Sequence, residues 1–252
     1  MEEPLLQTAS ASDAYPVSTC VLILGMHRSG TSSLAGSLQK RGLFLDEVFE
    51  QNPHNAKGNR ENRHVMRLNE LVLAASGGAW DKPPMRIAWT DELERTRDAL
   101  VRNFSDSGRP VWGFKDPRTL VTWPFWQPAL HNVRFAGTFR HPLLTAQSLN
   151  KRSGMPLKYG LSLWRQYNWK LLVMWDRYRF PVISFDAEPG EYGRAVGRVA
   201  TELGLDGGAG PDGFFENELR HQREPLDESL LDAEDRKVYG LLRDIHAKWA
   251  AV

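Results

Sequence analysis

Along this chain, short apolar runs alternate with longer stretches in which apolar residues recur every three or four positions. Thr19–Leu24 is a continuous apolar run, the pattern of a strand buried on both faces. Residues 31–41 then read as a helix stopped by Gly42. Helical spacing returns over 63–75, where Val65, Leu68, Leu71 and Val72 share a face, and over 91–104, with Asp91 as a candidate cap. Residues 110–114 and 132–139 are predicted strands, and Pro142 suits the first turn of a helix. A long aromatic helix is expected over 157–178, a last strand over 181–185, and helices over 192–203 and 232–249. Two stretches break the rhythm: a polar segment, 46–62, and a Gly-rich turn, 206–213.

Strand–helix alternation with these connections predicts an α/β fold of three layers, a central parallel sheet flanked by helices. Ligands of such sheets gather at the carboxyl ends of the strands. Three predicted strand ends carry basic residues: Gly25–Thr31 with Arg28, Lys115–Arg118, and Arg140–Ser148. Their convergence is the main structural expectation.

Composition narrows the chemistry. The 32 basic and 31 acidic residues leave a net charge of +1, so bulk charge does not point to nucleic acid and any anion needs a local cluster. A single cysteine, Cys20, excludes an internal disulfide framework and a Cys-based zinc site, and its apolar run makes it core filler. No apolar run is long enough to predict a transmembrane helix. Residues 1–16 read as a flexible acidic tail without a secretion signal, ahead of a single domain over 17–252, and a cytoplasmic protein is expected.

The segment Gly25-Met-His-Arg-Ser-Gly-Thr-Ser32 follows the first strand and opens a helix. Gly-x4-Gly has P-loop spacing, and a P-loop-like fold is expected. His27, Arg28, Ser29, Gly30, Thr31 and Ser32 can surround an anion with amides, hydroxyls, one guanidinium and a helix N-terminus. Yet Thr31 stands where a nucleotide triphosphatase keeps lysine, and no later strand ends in an aspartate suited to magnesium. A serine/glycine turn entering a helix is the plainer explanation. Arg140 and Ser148 form a second candidate anion site, one at a strand end and the other nearly two helical turns along. A helix-capping turn with a surface arginine would look the same.

Gly-x-x-Arg-Ser-Gly-Thr-Ser near the start and Arg140-x-Pro-x5-Ser148 in mid-chain resemble the two cofactor motifs of sulfotransferases that use 3′-phosphoadenosine 5′-phosphosulfate (PAPS). The resemblance continues through Asn55-x-x-Gly58-x-x-Glu61, Lys115-Asp-Pro-Arg118 and Ser148-Leu-x-x-Arg152, and spans residues 19–185. It is similar to a bacterial branch related to carbohydrate and tyrosylprotein sulfotransferases. The resemblance implies PAPS as donor, with its 5′-phosphosulfate on the first loop and its 3′-phosphate at Arg140 and Ser148; Arg152 is a candidate for that phosphate or for an acidic acceptor, as are Lys158 and Arg165, for which a solvated helix face is the default. It implies no metal requirement. The acceptor would be a hydroxyl on a small molecule or glycan, most simply a carbohydrate or glycoconjugate.

Sulfuryl transfer needs a base for that hydroxyl and cations for the charge that develops on oxygen. Arg28 and Lys115 are the candidate cations. Glu61 is the first candidate base, with His54 and Glu47 behind it; His141 is read as packing or capping. Trp80, Trp89, Trp123, Phe125 and Trp126 suit an acceptor pocket, although buried aromatics explain them as well. Two rival readings stand: a P-loop kinase or other phosphotransferase, and a catalytically silent nucleotide- or glycan-binding module.

Overall fold

The computed structural model describes residues 18–49, 58–205 and 226–250. The expected tail over 1–16 and the Gly-rich turn over 206–213 lie outside them. The order of elements is β1 (Thr19–Leu24), α1 (Thr31–Lys40), α2 (Arg63–Ala75), α3 (Asp91–Ser105), β2 (Val111–Lys115), α4 (Thr119–Trp126), β3 (Val133–Phe139), α5 (Pro142–Ser153), α6 (Leu157–Tyr178), β4 (Val182–Ser184), α7 (Pro189–Glu202) and α8 (Ala233–Ala250).

The four strands make one parallel sheet in the order β2-β1-β3-β4. Alternation along β1 divides the core in two. Cys20, Leu22 and Leu24 face a cluster built from α2, α4, α6 and α8. Val21 and Ile23 face the opposite cluster, with Leu34 and Leu38 of α1 and Tyr192, Val196 and Val199 of α7. This is the three-layer α/β arrangement expected from the pattern, and Cys20 sits inside the core. Among the described residues, no helix is long and apolar enough to cross a membrane.

Several boundaries differ from the expectations. The cap of α3 is Thr90, whose hydroxyl accepts from Leu93 N at 3.4 Å, and Asp91 is already helical. β2 runs one residue further than expected, so Lys115 closes the strand rather than following it. α4 was not foreseen, because TLVTWPFW is apolar on nearly every side and lacks a helical period. Its Trp123, Phe125 and Trp126 pack into the main core, which removes them from any acceptor pocket. Of the three tryptophans of α6 at near-helical spacing, Trp164 is buried, while Trp169 and Trp175 are half-buried against the same core.

β2 approaches β1 most closely at Gly113, which is paired with Val21. A Cβ there would stand 2.0 Å from the Val21 carbonyl oxygen, and backbone at that point has no room to yield. Gly113→Ala is expected to lower unfolding free energy by about 1–3 kcal/mol or to prevent folding altogether, read by urea denaturation.

Candidate active site

The site begins with the turn after β1. Gly25 has φ 154, and a Cβ on it would meet the Thr138 carbonyl oxygen at 2.5 Å. Gly30 has φ 86, and a Cβ there would lie 2.3 Å from the Phe185 ring. Two bare backbone positions therefore let this loop press against the ends of β3 and β4. Thr138 Oγ1 donates to the Ser29 carbonyl at 3.1 Å and fixes the approach. α1 starts at Thr31 with no side-chain cap, so its first-turn amides point out of the turn as donors. Ser32 Oγ is turned aside to donate to the Asn59 carbonyl at 3.0 Å.

Arg28 occupies the left-handed region at φ 66, unusual for a side chain of its size. Its Nε donates to Ser148 Oγ at 2.8 Å, across 120 residues of sequence, which joins the first loop to α5. Burial, followed by the neighbouring Arg152 and Arg140 guanidiniums, pushes the Arg28 pKa down from its ordinary value. Arg28, Arg140, Ser148 and Arg152 thus share one cationic corner.

Arg140 is oriented by an acid that the sequence reading missed. Asp186, just beyond β4, accepts from Arg140 Nε at 3.2 Å and from His141 N at 2.7 Å. Asp186 directly follows the predicted strand 181–185 and Asp116 directly follows β2, which corrects the reading that no later strand ends in an aspartate; Asp186 accepts from Arg140 and the His141 amide, and Asp116 from Arg118. His141 caps α5, its Nδ1 accepting from Leu143 N at 3.3 Å. The Arg152 guanidinium lies over the Trp80 ring, 5.2 Å from its centroid.

The second group is a buried ion pair. Lys115 Nζ donates to Glu61 Oε1 at 2.9 Å, with the lysine side chain 2% and the glutamate side chain 8% exposed. Glu61 is held in place from both sides. Its carbonyl accepts from Phe49 N at 3.1 Å, and Val48 bridges Asn62. Asn62 caps α2 through bonds from His64 N and Val65 N. Its amide also donates to Asp46 and to the Glu47 carbonyl. The two ends of the polar segment are therefore stitched together beside Lys115. Glu47 itself is exposed. His54 and Asn55 lie outside the described residues.

Asp116 and Arg118 form a brace next to this pair. Asp116 Oδ1 accepts from Arg118 N at 2.9 Å and Arg118 Nη1 at 3.0 Å, while Arg118 Nη2 donates to Glu70 of α2 at 3.2 Å.

His27 sits between the two groups. Burial first, and then the fields of Arg118, Lys115, Arg152 and Arg28, push its pKa well below the usual histidine range. It is a neutral spacer among cations. Its ring lies 4.5 Å from Trp80, and its Nε2 has no hydrogen-bond partner among the described residues. Tyr167 anchors that tryptophan by donating to the Trp80 carbonyl at 2.7 Å. Trp80, one of the aromatics named as candidates from the sequence, lies at this edge, whereas Tyr167 was missed because nothing in the sequence marks its contact with Trp80.

A cavity of about 270 Å³ opens at the other end of the sheet, lined by residues that include Arg134, Arg179 and Glu202. Its arginines are already engaged: Arg134 with the Glu202 carbonyl and Arg179 with Asp176. It contains none of the residues above. No group of three or more His, Cys, Asp or Glu side chains among the described residues is placed to hold a metal ion.

The fold and this edge define an α/β chain with a glycine turn opening an uncapped helix start after β1 and a cationic corner on α5. Among solved structures, the sulfotransferase domain from the curacin biosynthetic pathway matches with a TM-score of 0.53 at 15% identity, over 90% of this chain and 98% of that one. This chain therefore has the fold of a sulfotransferase domain. The sulfotransferase domain from the Synechococcus PCC 7002 olefin synthase matches at 0.49 and 15% identity, over 97% and 98% of the two chains. The sulfotransferase STF9 from Mycobacterium avium matches at 0.45 and 16% identity, over 94% and 77%. The fold assignment rests on the first of the three. No family model and no curated protein matches the sequence.

The buried pair makes a prediction about stability. Glu61→Leu or Lys115→Met alone leaves one buried charge without its partner and is expected to cost about 3–5 kcal/mol. The double variant should cost much less than the sum of the two, measured by urea unfolding. Additive losses would show that the two side chains do not interact.

Proposed function

We propose that this chain is a PAPS-dependent sulfotransferase that transfers a sulfuryl group to a hydroxyl of a carbohydrate or glycoconjugate. The observation that carries the reading is the Arg28–Ser148 bond, which draws the loop after β1 and the α5 corner into one site beside the Lys115–Glu61 pair. The acceptor class rests on the motif resemblance alone, since Trp123, Phe125 and Trp126 belong to the core.

The residues fit a donor with two separated anionic groups. The open N-terminus of α1, with Ser29, Gly30, Thr31 and Ser32, would hold the 5′ side. Arg140, Ser148 and Arg152 would hold the 3′-phosphate. When bound, PAPS supplies the sulfuryl group and a phosphate as leaving group.

Glu61 would accept the acceptor's hydroxyl proton, and Lys115 would donate to the negative charge that develops on the departing phosphate. The contact between the two residues couples these roles. A carboxylate that takes up a proton loses its hold on Nζ, and the ammonium turns to the new charge. Asp116 and Arg118 hold the end of β2 in position, and neutral His27 keeps the neighbouring cations apart without adding to their charge.

Calorimetric titration with 3′,5′-adenosine bisphosphate in EDTA tests the site. Binding is expected, and Arg140→Ala should weaken it by about 1.5–3 kcal/mol, as for a charged hydrogen bond. Binding of ATP with magnesium but not of the bisphosphate would favour a phosphotransferase. Glu61→Gln is expected to keep bisphosphate affinity while turnover with labelled donor falls about 10²–10⁴-fold. Full turnover in that variant would place the base elsewhere.

A further inference from the structure

One side chain on the buried face of α2 is polar. Asn69, next to Leu68 and one turn before Val72, is fully buried and presents its amide to α4. Asn69 Oδ1 accepts from Thr122 Oγ1 at 2.6 Å and from Trp126 Nε1 at 2.8 Å, which uses both of its lone pairs. Its Nδ2 donates to Thr119 Oγ1 at 3.4 Å. Thr119, Thr122 and Trp126 are themselves buried. Apolar contact is non-directional, whereas hydrogen bonds inside a core weaken steeply with distance and angle and so select one register. A leucine would suit this face of α2 as well, so burial alone does not explain an asparagine here.

The two elements joined by this network carry the buried ion pair. Glu61 stands one residue ahead of Asn62, the cap of α2, and Asn69 lies about two turns further along the same helix. Lys115 closes β2, and Asp116, Pro117 and Arg118 lead directly into α4 at Thr119. Arg118 Nη2 also reaches Glu70 of α2, but the Glu70 side chain is 43% exposed and solvent screens that contact. Resting on the sulfotransferase reading above, we propose that Asn69 is a positioning residue for the reaction. It acts through Glu61 and Lys115 rather than on a ligand: it seats α2 on α4 in the register that brings Lys115 Nζ to 2.9 Å from Glu61 Oε1. A slip of α2 by one residue's rise, about 1.5 Å, would part the base from the cation.

The test measures the coupling between Glu61 and Lys115 by urea unfolding of the full chain. The cycle of Glu61→Leu, Lys115→Met and their double variant is repeated in Asn69→Leu, Thr122→Val and Thr122→Ser backgrounds. Asn69→Leu is expected to cut the coupling to less than about half of its wild-type value, and Thr122→Val to lower it by about a quarter or more. Thr122→Ser keeps the hydroxyl and should keep the coupling, although it loses a buried methyl group and some stability. Thr122→Val keeps the shape of threonine, so it reads the lost bond even where the leucine variant folds poorly. Lower stability with unchanged coupling in both Asn69→Leu and Thr122→Val would assign the register to the bonds of Asn62 with Asp46 and Glu47, and overturn the inference. Calorimetric titration with 3′,5′-adenosine bisphosphate separates this inference from the reading it rests on. Thr122→Val should bind within about twofold of wild type, and a loss of about tenfold would show a network that supports the whole edge rather than the pair, which also overturns the inference. Failure of the wild-type protein to bind the bisphosphate would overturn the sulfotransferase reading and the catalytic role of Asn69 with it, whereas the coupling, measured without nucleotide, would still report whether Asn69 sets the contact.

Discussion

Everything at this edge of the sheet depends on how closely the loop after β1 approaches the ends of β3 and β4. Residues 25 and 30 have no side chain at the two points where a Cβ would strike the Thr138 carbonyl and the Phe185 ring. With the loop seated, Ser29 meets Thr138, and Arg28 reaches Ser148 on the helix that follows β3. A loop displaced by one methyl group would break the Arg28–Ser148 bond, because hydrogen bonds weaken steeply with distance and angle. The cationic corner therefore follows from sheet packing, and charge is the second step.

Electrostatics then separates the site into two parts. On one side Arg28, Arg140 and Arg152 are drawn together at α5, with Asp186 orienting Arg140. On the other, Lys115 and Glu61 face each other under the core, where neither charge is well solvated. A buried pair of this kind contributes little net stability, yet breaking it is costly, so it holds each partner in one place. That precision suits the roles of base and cation proposed for Glu61 and Lys115. His27 stands between the two groups as a neutral ring, since burial and four cations all disfavour its charged form.

The comparison with solved sulfotransferase domains bears on the backbone. At 15% identity the curacin-pathway domain shares the path of the chain, and little of its sequence. The chemistry of this edge therefore rests on this chain's own side chains. Those side chains supply an open helix start, a three-arginine corner and one buried acid–lysine pair, all at the strand ends where α/β sheets place their ligands.

The sequence by itself determined the layers, because apolar periodicity is a local property: a run such as Thr19–Leu24 must be buried on both faces wherever it sits. It also determined the loop after β1 and the approximate starts and ends of most helices, through glycine, proline and capping chemistry. It did not disclose α4, whose residues are apolar all round, or the burial of Trp123, Phe125 and Trp126. Tertiary structure alone decided which charges meet. Arg28 and Ser148 are 120 residues apart and Glu61 and Lys115 are 54 apart, and no local pattern encodes such contacts. Asp186 and Tyr167 entered the site in the same way. They were brought there by strand order and by the crossing of α6 over the sheet, which are set by the packing of the whole chain rather than by any segment of it.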